Sequence, residues 1–139
     1  MSEIRVMKPE DYDALLDLWT NSEGCGVGVD DTREYITNYL LRNPKTSFTA
    51  WDGDVLTGAI MAGHDGYRGF IHHTGVRTEY RGRGIGTALV QAALKALKQE
   101  KINKVVLVAF RTNDQGNAFW EKQGFAVRED LFYRDCRIG

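Results

Sequence analysis

The stretch Val76-Arg77-Thr78-Glu79-Tyr80-Arg81-Gly82-Arg83-Gly84-Ile85-Gly86-Thr87-Ala88 decides how the chain is read. Before it, Phe70 to Val76 reads as a strand. After it, Ile85, Leu89, Ala93 and Leu97 recur every four residues, the stripe of a long amphipathic helix. The strand therefore runs into a basic, glycine-rich turn, and that turn opens the helix. Glycines let a ligand approach the backbone closely, and the first turn of a helix has N–H groups without intrahelical partners. The helix dipole adds partial positive charge, and Arg81 and Arg83 add two full ones, so the turn is suited to phosphate. Downstream, Lys104 to Phe110 carries Val-Val-Leu-Val-Ala, an apolar run of the kind found in strands buried on both faces. A strand, helix, strand unit thus forms the centre of the chain.

Upstream, Ser47–Trp51 and Val55–Ala62 flank Asp52-Gly53-Asp54, a hairpin signal, and Gly63–Gly69 reads as the next turn. Three consecutive antiparallel strands are the simplest assignment for 47–76. Nearer the start, Ile4 and Val6 suggest a short strand. Pro9, followed by Glu10, Asp11 and Asp13, suggests a helix whose apolar stripe is Tyr12, Leu15, Leu16 and Trp19. Asn21–Asp31 is glycine-rich and reads as a loop. A second helix is expected from about Thr32 to Leu41, with Tyr35, Ile36, Tyr39 and Leu40 inward and Pro44 as its stop. Asn113 is a suitable N-cap for a last helix bearing Ala118, Phe119 and Trp120, with Gly124 as its end. Phe125–Val127 and Leu131–Ile138 read as two closing strands. The expected class is α+β, with a single mixed, mostly antiparallel sheet flanked by helices, in one domain over residues 1–139.

Composition removes several alternatives. The 139 residues suit one compact domain, and 42% apolar with 27% charged residues is an ordinary globular balance. A net charge of -1 favours neither nucleic acid nor an anionic membrane. No apolar run reaches the roughly 18 residues of a membrane span, and the acidic, interrupted opening does not read as a signal peptide. Cys25 and Cys136 lack metal-ligand spacing and read as reduced thiols, so no metal is expected. These features predict a cytoplasmic monomer or homodimer.

The glycine spacing narrows the phosphate ligand. A nucleoside-triphosphate loop needs Gly, four residues, then Gly-Lys-Ser/Thr, which is not present. A dinucleotide fingerprint needs Gly-x-Gly-x-x-Gly or Ala, but its last position falls on Thr87 or Leu89. The acid expected after the next strand is also missing, since Phe110 and Arg111 stand there. The spacing Arg81-x-x-Gly84-x-Gly86 does resemble the acetyl-CoA pyrophosphate motif of the GNAT N-acetyltransferase family. Asn113 followed by Ala118-Phe119-Trp120-Glu121-Lys122-Gln123-Gly124-Phe125 resembles the family's second landmark, Asn…Ala-x-Tyr-Glu-Lys-x-Gly-Phe.

The resemblance implies a GNAT-like acyl-CoA N-acyltransferase fold and transfer of acetyl from acetyl-CoA to a primary amine. That amine belongs to a small molecule, a peptide N-terminus or a lysine. The resemblance also implies that backbone amides of Gly82, Arg83, Gly84, Ile85, Gly86 and Thr87 hold the pyrophosphate. Thr74, Gly75 and Val76 would pair with the pantetheine arm like a strand, the Val76 amide serving as oxyanion donor. Asn113 would touch the pantetheine or simply cap its helix. Arg81 and Arg83 would serve the phosphates, and Trp120 on the last helix would also contact the cofactor.

Acetyl transfer to an amine of pKa near ~10 needs something to take a proton at neutral pH. His72 and His73 on the central strand are the candidate bases, with Glu79 behind them. Regular strand alternation predicts that the two histidines face opposite ways, so that one at most meets the acceptor. Where the family pattern has a tyrosine as general acid, this chain has Trp120, whose indole N–H does not ionise near neutral pH. Three alternatives follow: thiolate departs without an acid, Tyr133 substitutes, or the domain binds acyl-CoA as a sensor without transfer. A nucleic-acid module using Arg77, Arg81 and Arg83 is disfavoured by the charge balance. Glu23, Asp30 and Asp31 are loop acids that would attract a cationic amine.

Overall fold

The computed structural model describes residues 2–139, in two units that meet in sequence at Val108 and Ala109. The first unit holds a five-stranded sheet in the order β1-β2-β3-β4-β5. Its strands are β1 (Glu3–Val6), β2 (Phe48–Asp52), β3 (Val55–His64), β4 (Gly69–Val76) and β5 (Val105–Leu107). The first four are antiparallel neighbours, and β5 joins β4 in parallel, as a strand, helix, strand crossover requires. The β2–β3 hairpin turns at Gly53, whose φ of 60° explains why glycine stands there.

Helix α1 (Tyr12–Asn21) follows a 3-10 turn at Pro9–Asp11, and α2 (Arg33–Arg42) starts at an N-cap Thr32 that accepts the Tyr35 amide. They cover one sheet face through Leu15, Leu18, Trp19, Ile36 and Leu40, packed with Leu56, Ala59 and Met61 of β3. Tyr35 does not join them and is 56% exposed. Ile36 and Leu40 already complete the inward stripe of a helix only ten residues long. Helix α3 (Ile85–Gln99) covers the other face, and its expected stripe Ile85, Leu89, Ala93 and Leu97 is buried throughout. On that side a methyl group at Gly58 would press on Leu89 and Ile85, so the absent side chain permits close helix–sheet packing.

Two irregularities break the strand period. Ala50 faces Gly58 while Trp51 faces Leu56, which leaves one extra residue in β3. Ile60 faces Thr74 while Ala62 faces Ile71, which leaves one extra residue in β4, at His72-His73. The second is a β-bulge, and it re-aims the strand's side chains. The strand expected at Lys104–Phe110 is shorter than its apolar run. Val106 is 38% exposed, because β5 is the last strand of this sheet and has one neighbour among the described residues.

The second unit, Ala109–Gly139, holds α4 (Asp114–Lys122) and ends it at Gly124, whose φ is 93°. Neither Phe125–Val127 nor Leu131–Ile138 forms a strand. Apolar alternation makes a strand only where a ladder partner takes the backbone groups. Here Val127, Phe132 and Ile138 remain exposed. No helix among the described residues is long and apolar enough to cross a membrane.

Candidate active site

The glycine-rich turn is built as a cradle. A 3-10 turn at Thr78–Tyr80 ends β4's run, and Gly82 and Gly84 then take left-handed conformations at φ 77° and 82°. Gly84 is the N-cap of α3 and supplies no side-chain cap; the helical ladder begins with Ala88 N–H donating to Gly84 O. A Cβ built at Gly82 or Gly84 meets nothing within 4 Å, so open space lies beside the backbone where a phosphate would approach. The turn and the first helical turn over Ile85, Gly86 and Thr87 therefore fit the pyrophosphate of acetyl-CoA.

The two arginines are placed differently from one another. Arg81 turns back: its Nε donates to Val76 O at 3.0 Å, and an Nη donates to Glu23 O. It thereby fastens the 22–32 loop to the end of β4. Arg83 is exposed, lies 4.9 Å over the Tyr80 ring and donates to Glu79 O. Arg77 bridges Leu56 O and the Asp17 carboxylate, and this pairing pulls Asp17 below its ordinary acidity value. A cleft of about 240 Å3 lies between Ser2 and Ile4 on one side and Tyr80, Arg83, Gly84 and Ile85 on the other. Neither histidine lines it.

The register of β4 decides what its backbone offers. Gly58 and Val76 face each other, and Arg77 N–H donates to Thr57 O at 2.8 Å. This makes Gly58–Val76 a non-hydrogen-bonded pair, so the Val76 N–H and C=O point away from β3. Thr74, opposite Ile60, has the same orientation, whereas Gly75 turns its groups to β3. On the far side, β5 pairs only with Gly69, Phe70 and Ile71 among the described residues. Thr74 N–H and C=O and the Val76 N–H thus lie along an open strand edge, while the Val76 carbonyl already accepts from Arg81. Such an edge can take an extended amide-bearing arm as it would another strand.

The bulge corrects the expectation for the histidines. Both rings lie on the α1–α2 face, because the extra residue lets consecutive side chains project to one side. His73 stacks on Trp19 with centroids 4.2 Å apart and planes inclined by 23°. Its Nε2 lies 2.8 Å from Asp31 Oδ2. His72 stacks on Phe70 at 4.6 Å and meets the Tyr39 ring edge-on at 5.4 Å. Although His72 stays exposed at its edge, this crowding desolvates the imidazolium and lowers its pKa, with the charge of His73 adding to the shift. Burial also pushes the Cys25 thiol up, only partly opposed by Arg81, so Cys25 packs against Gly75 as a neutral thiol.

Asp31, Trp19 and Tyr39 lie against the two histidines, an arrangement that spacing did not reveal. Trp19 and Tyr39 read as members of apolar helix stripes, and Asp31 as one loop acid among three. Only contact across the sheet face gives them a place beside the histidines. Glu79 is exposed in the turn after β4.

The second unit contains the remaining candidates. The Asn113 side chain accepts Gly116 N–H at 3.0 Å and so caps α4, one of its two expected roles. Trp120 packs edge-on against Phe119 at 5.0 Å and Phe125 at 5.3 Å. Tyr133 lies in an irregular segment, 66% exposed, and its hydrogen bond to Asp135 raises its pKa.

Comparison with known proteins identifies the family. The sequence profile described as the acetyltransferase (GNAT) family matches residues 12–125. An acetyltransferase of Photorhabdus laumondii is 35% identical over 126 residues, covering 91% of this chain and 87% of the relative. An acetyltransferase of Sodalis glossinidius is 30% identical over 138 residues, covering 98% and 95%. Among solved structures, the PaiA N-acetyltransferase of Thermoplasma acidophilum in complex with coenzyme A superposes with a TM-score of 0.82 at 22% identity, over 94% of this chain and 93% of that one. The phosphate cradle, the open edge of β4 and the match to the family profile over most of the chain lead to one conclusion: the protein belongs to the GNAT acetyltransferase family and is an acetyl-CoA-dependent acetyltransferase.

Proposed function

We propose that the chain, acting as one domain over residues 1–139, transfers acetyl from acetyl-CoA to a primary amine, with His73 as the base that deprotonates the amine. The acceptor is a small molecule, a peptide N-terminus or a lysine side chain. The observation that carries this reading is the β4 bulge, which sets His73 on the α1–α2 face directly before the open edge offered by Thr74 and Val76. When bound, acetyl-CoA supplies an activated thioester carbonyl. The backbone from Gly82 to Thr87 would hold its phosphates, Arg83 adding charge from the exposed side of the turn. Thr74 and Val76 would bind the pantetheine amides, and the Val76 N–H would donate to a carbonyl oxygen gaining negative charge. His73 takes a proton from the acceptor nitrogen. A thiol of pKa near ~8.5 leaves without help from an acid, which accommodates Trp120. The free thiols of Cys25 and Cys136 favour a reducing compartment, and we read the protein as cytoplasmic, a monomer or homodimer without a nucleic-acid partner.

The test is release of CoA thiol from acetyl-CoA across a panel of small amines, N-terminal peptides and lysine peptides. One amine class is expected to be turned over. His73→Gln should then lower kcat by about 10²-fold or more while CoA binding is retained. Tight CoA binding without turnover of any amine would replace this reading with an acyl-CoA-binding module.

A further inference from the structure

We propose that Asp31 is a positioning residue that holds His73 as its Nε2–H tautomer, leaving Nδ1 as the atom that takes the acceptor's proton. The inference rests on His73 being the base and specifies which of its atoms acts. Asp31 Oδ2 has two neighbours: the Gly28 N–H at 2.7 Å and His73 Nε2 at 2.8 Å. A bare Nε2 lone pair 2.8 Å from a carboxylate oxygen would repel it, so this close charge pair favours the hydrogen on Nε2. A neutral imidazole carries one N–H. With that hydrogen on Nε2, the lone pair is on Nδ1.

The carboxylate is fixed independently of the histidine. Tyr12, 8% exposed, donates its hydroxyl to the Asp31 carbonyl at 2.7 Å, while Gly28 binds the side chain. The Asp31 side chain is 15% accessible and that of His73 24%, so the carboxylate lies deeper and the imidazole is the better placed to meet a substrate. Trp19 lies flat beneath the ring and restricts its rotation. The step balances as follows: the acceptor N–H bond breaks, an Nδ1–H bond forms, and Nε2–H stays in place. The ring becomes a cation that faces the Asp31 carboxylate, with the Trp19 ring stacked beneath it. The proton then leaves to solvent.

The test uses the full chain with Asp31→Ala and Asp31→Asn. Nitrogen-15 NMR of the free protein, above the ordinary histidine titration range, reads the His73 tautomer without any acceptor. Wild type should show Nε2–H with Nδ1 bare. Asp31→Ala should show a mixture of tautomers. Asp31→Asn should keep Nε2–H, because the Gly28 N–H still demands an acceptor oxygen there, but it lacks the charge. In turnover, both variants should lose about 10- to 100-fold in kcat, the reach of one neighbouring opposite charge, with KM for acetyl-CoA unchanged. An Nδ1–H tautomer in wild type overturns the proposal, as does an unaltered tautomer in Asp31→Ala. So does a kcat in both variants within about twofold of wild type, too small for a lost charge pair. If Asp31→Ala fails to fold, the Asp31→Asn kcat and the wild-type tautomer still decide. Should wild type acetylate no amine, His73 as base fails, while the tautomer populations separately judge Asp31.

Discussion

Gly75 offers a sharp test of how the 22–32 loop is seated on β4. A Cβ built at Gly75 would stand 2.5 Å from Cys25 Sγ but 4.0 Å from Cys25 Cβ. The first distance is not sustainable and the second is an ordinary contact, so the whole conflict rests on one sulfur atom. To reach ordinary contact at 3.4 Å, that sulfur must retreat by about 1 Å. Gly75 is not among the positive-φ residues, so alanine meets no backbone strain there. Gly75→Ala should therefore destabilise the protein by about 1–3 kcal/mol through overpacking alone. In a Cys25→Ala background the same change should be neutral or stabilising by roughly 0.5 kcal/mol, because alanine restricts the unfolded chain. The double-mutant cycle should then yield a coupling of at least about 1 kcal/mol. Urea unfolding of the four proteins measures it, and thermal midpoints should track it at about 4 °C per kcal/mol. The displaced loop also carries Asp31, so Gly75→Ala should lose kcat and Cys25→Ala should restore it. Strictly additive stabilities would refute the packing of Cys25 against β4.

Two further expectations follow from the cradle and from His72. Gly84→Ala forces a side chain into φ 82° and should cost about 1 kcal/mol of stability. It should also weaken CoA binding measured by calorimetry, since the methyl enters the space beside the phosphate cradle; unchanged affinity in a folded variant would argue against that cradle. His72 has a folded-state pKa below the ordinary 6.5, so the unfolded chain binds more protons between the two values, and stability must rise with pH there. The loss should begin as pH falls through about 6.5 and level off below the folded pKa. His72→Phe should flatten that part of a stability–pH curve, and an unchanged slope would count against desolvation of His72 by Phe70 and Tyr39.

Local physics made much of this protein readable from its sequence. The four-residue repeat from Ile85 to Leu97 specifies one buried helix face regardless of what it packs on, and Asp52-Gly53-Asp54 specifies a turn. Gly82 and Gly84 mark positions where the backbone must take conformations that side chains resist. A helix N-cap works the same way: Thr32 and Asn113 bind amides three residues ahead, within reach of spacing alone. These are short-range effects, and the phosphate cradle is built from them.

Long-range pairing decided the rest. Regular alternation sends His72 and His73 to opposite faces, and only the mismatch of β4 against β3 brings both to one face. Asp31 and His73 are 42 positions apart, so no periodicity joins them; loop closure under Tyr12 and Gly28 does. Arg81 reads as a phosphate ligand beside glycines, yet its guanidinium engages two carbonyls, one of them on a loop 58 residues earlier. The apolar alternation after Gly124 forms no strand among the described residues. A residue's own conformational preference is encoded where it stands, whereas the partner of a carboxylate, the register of a strand and the neighbour of a thiol exist only once distant segments meet.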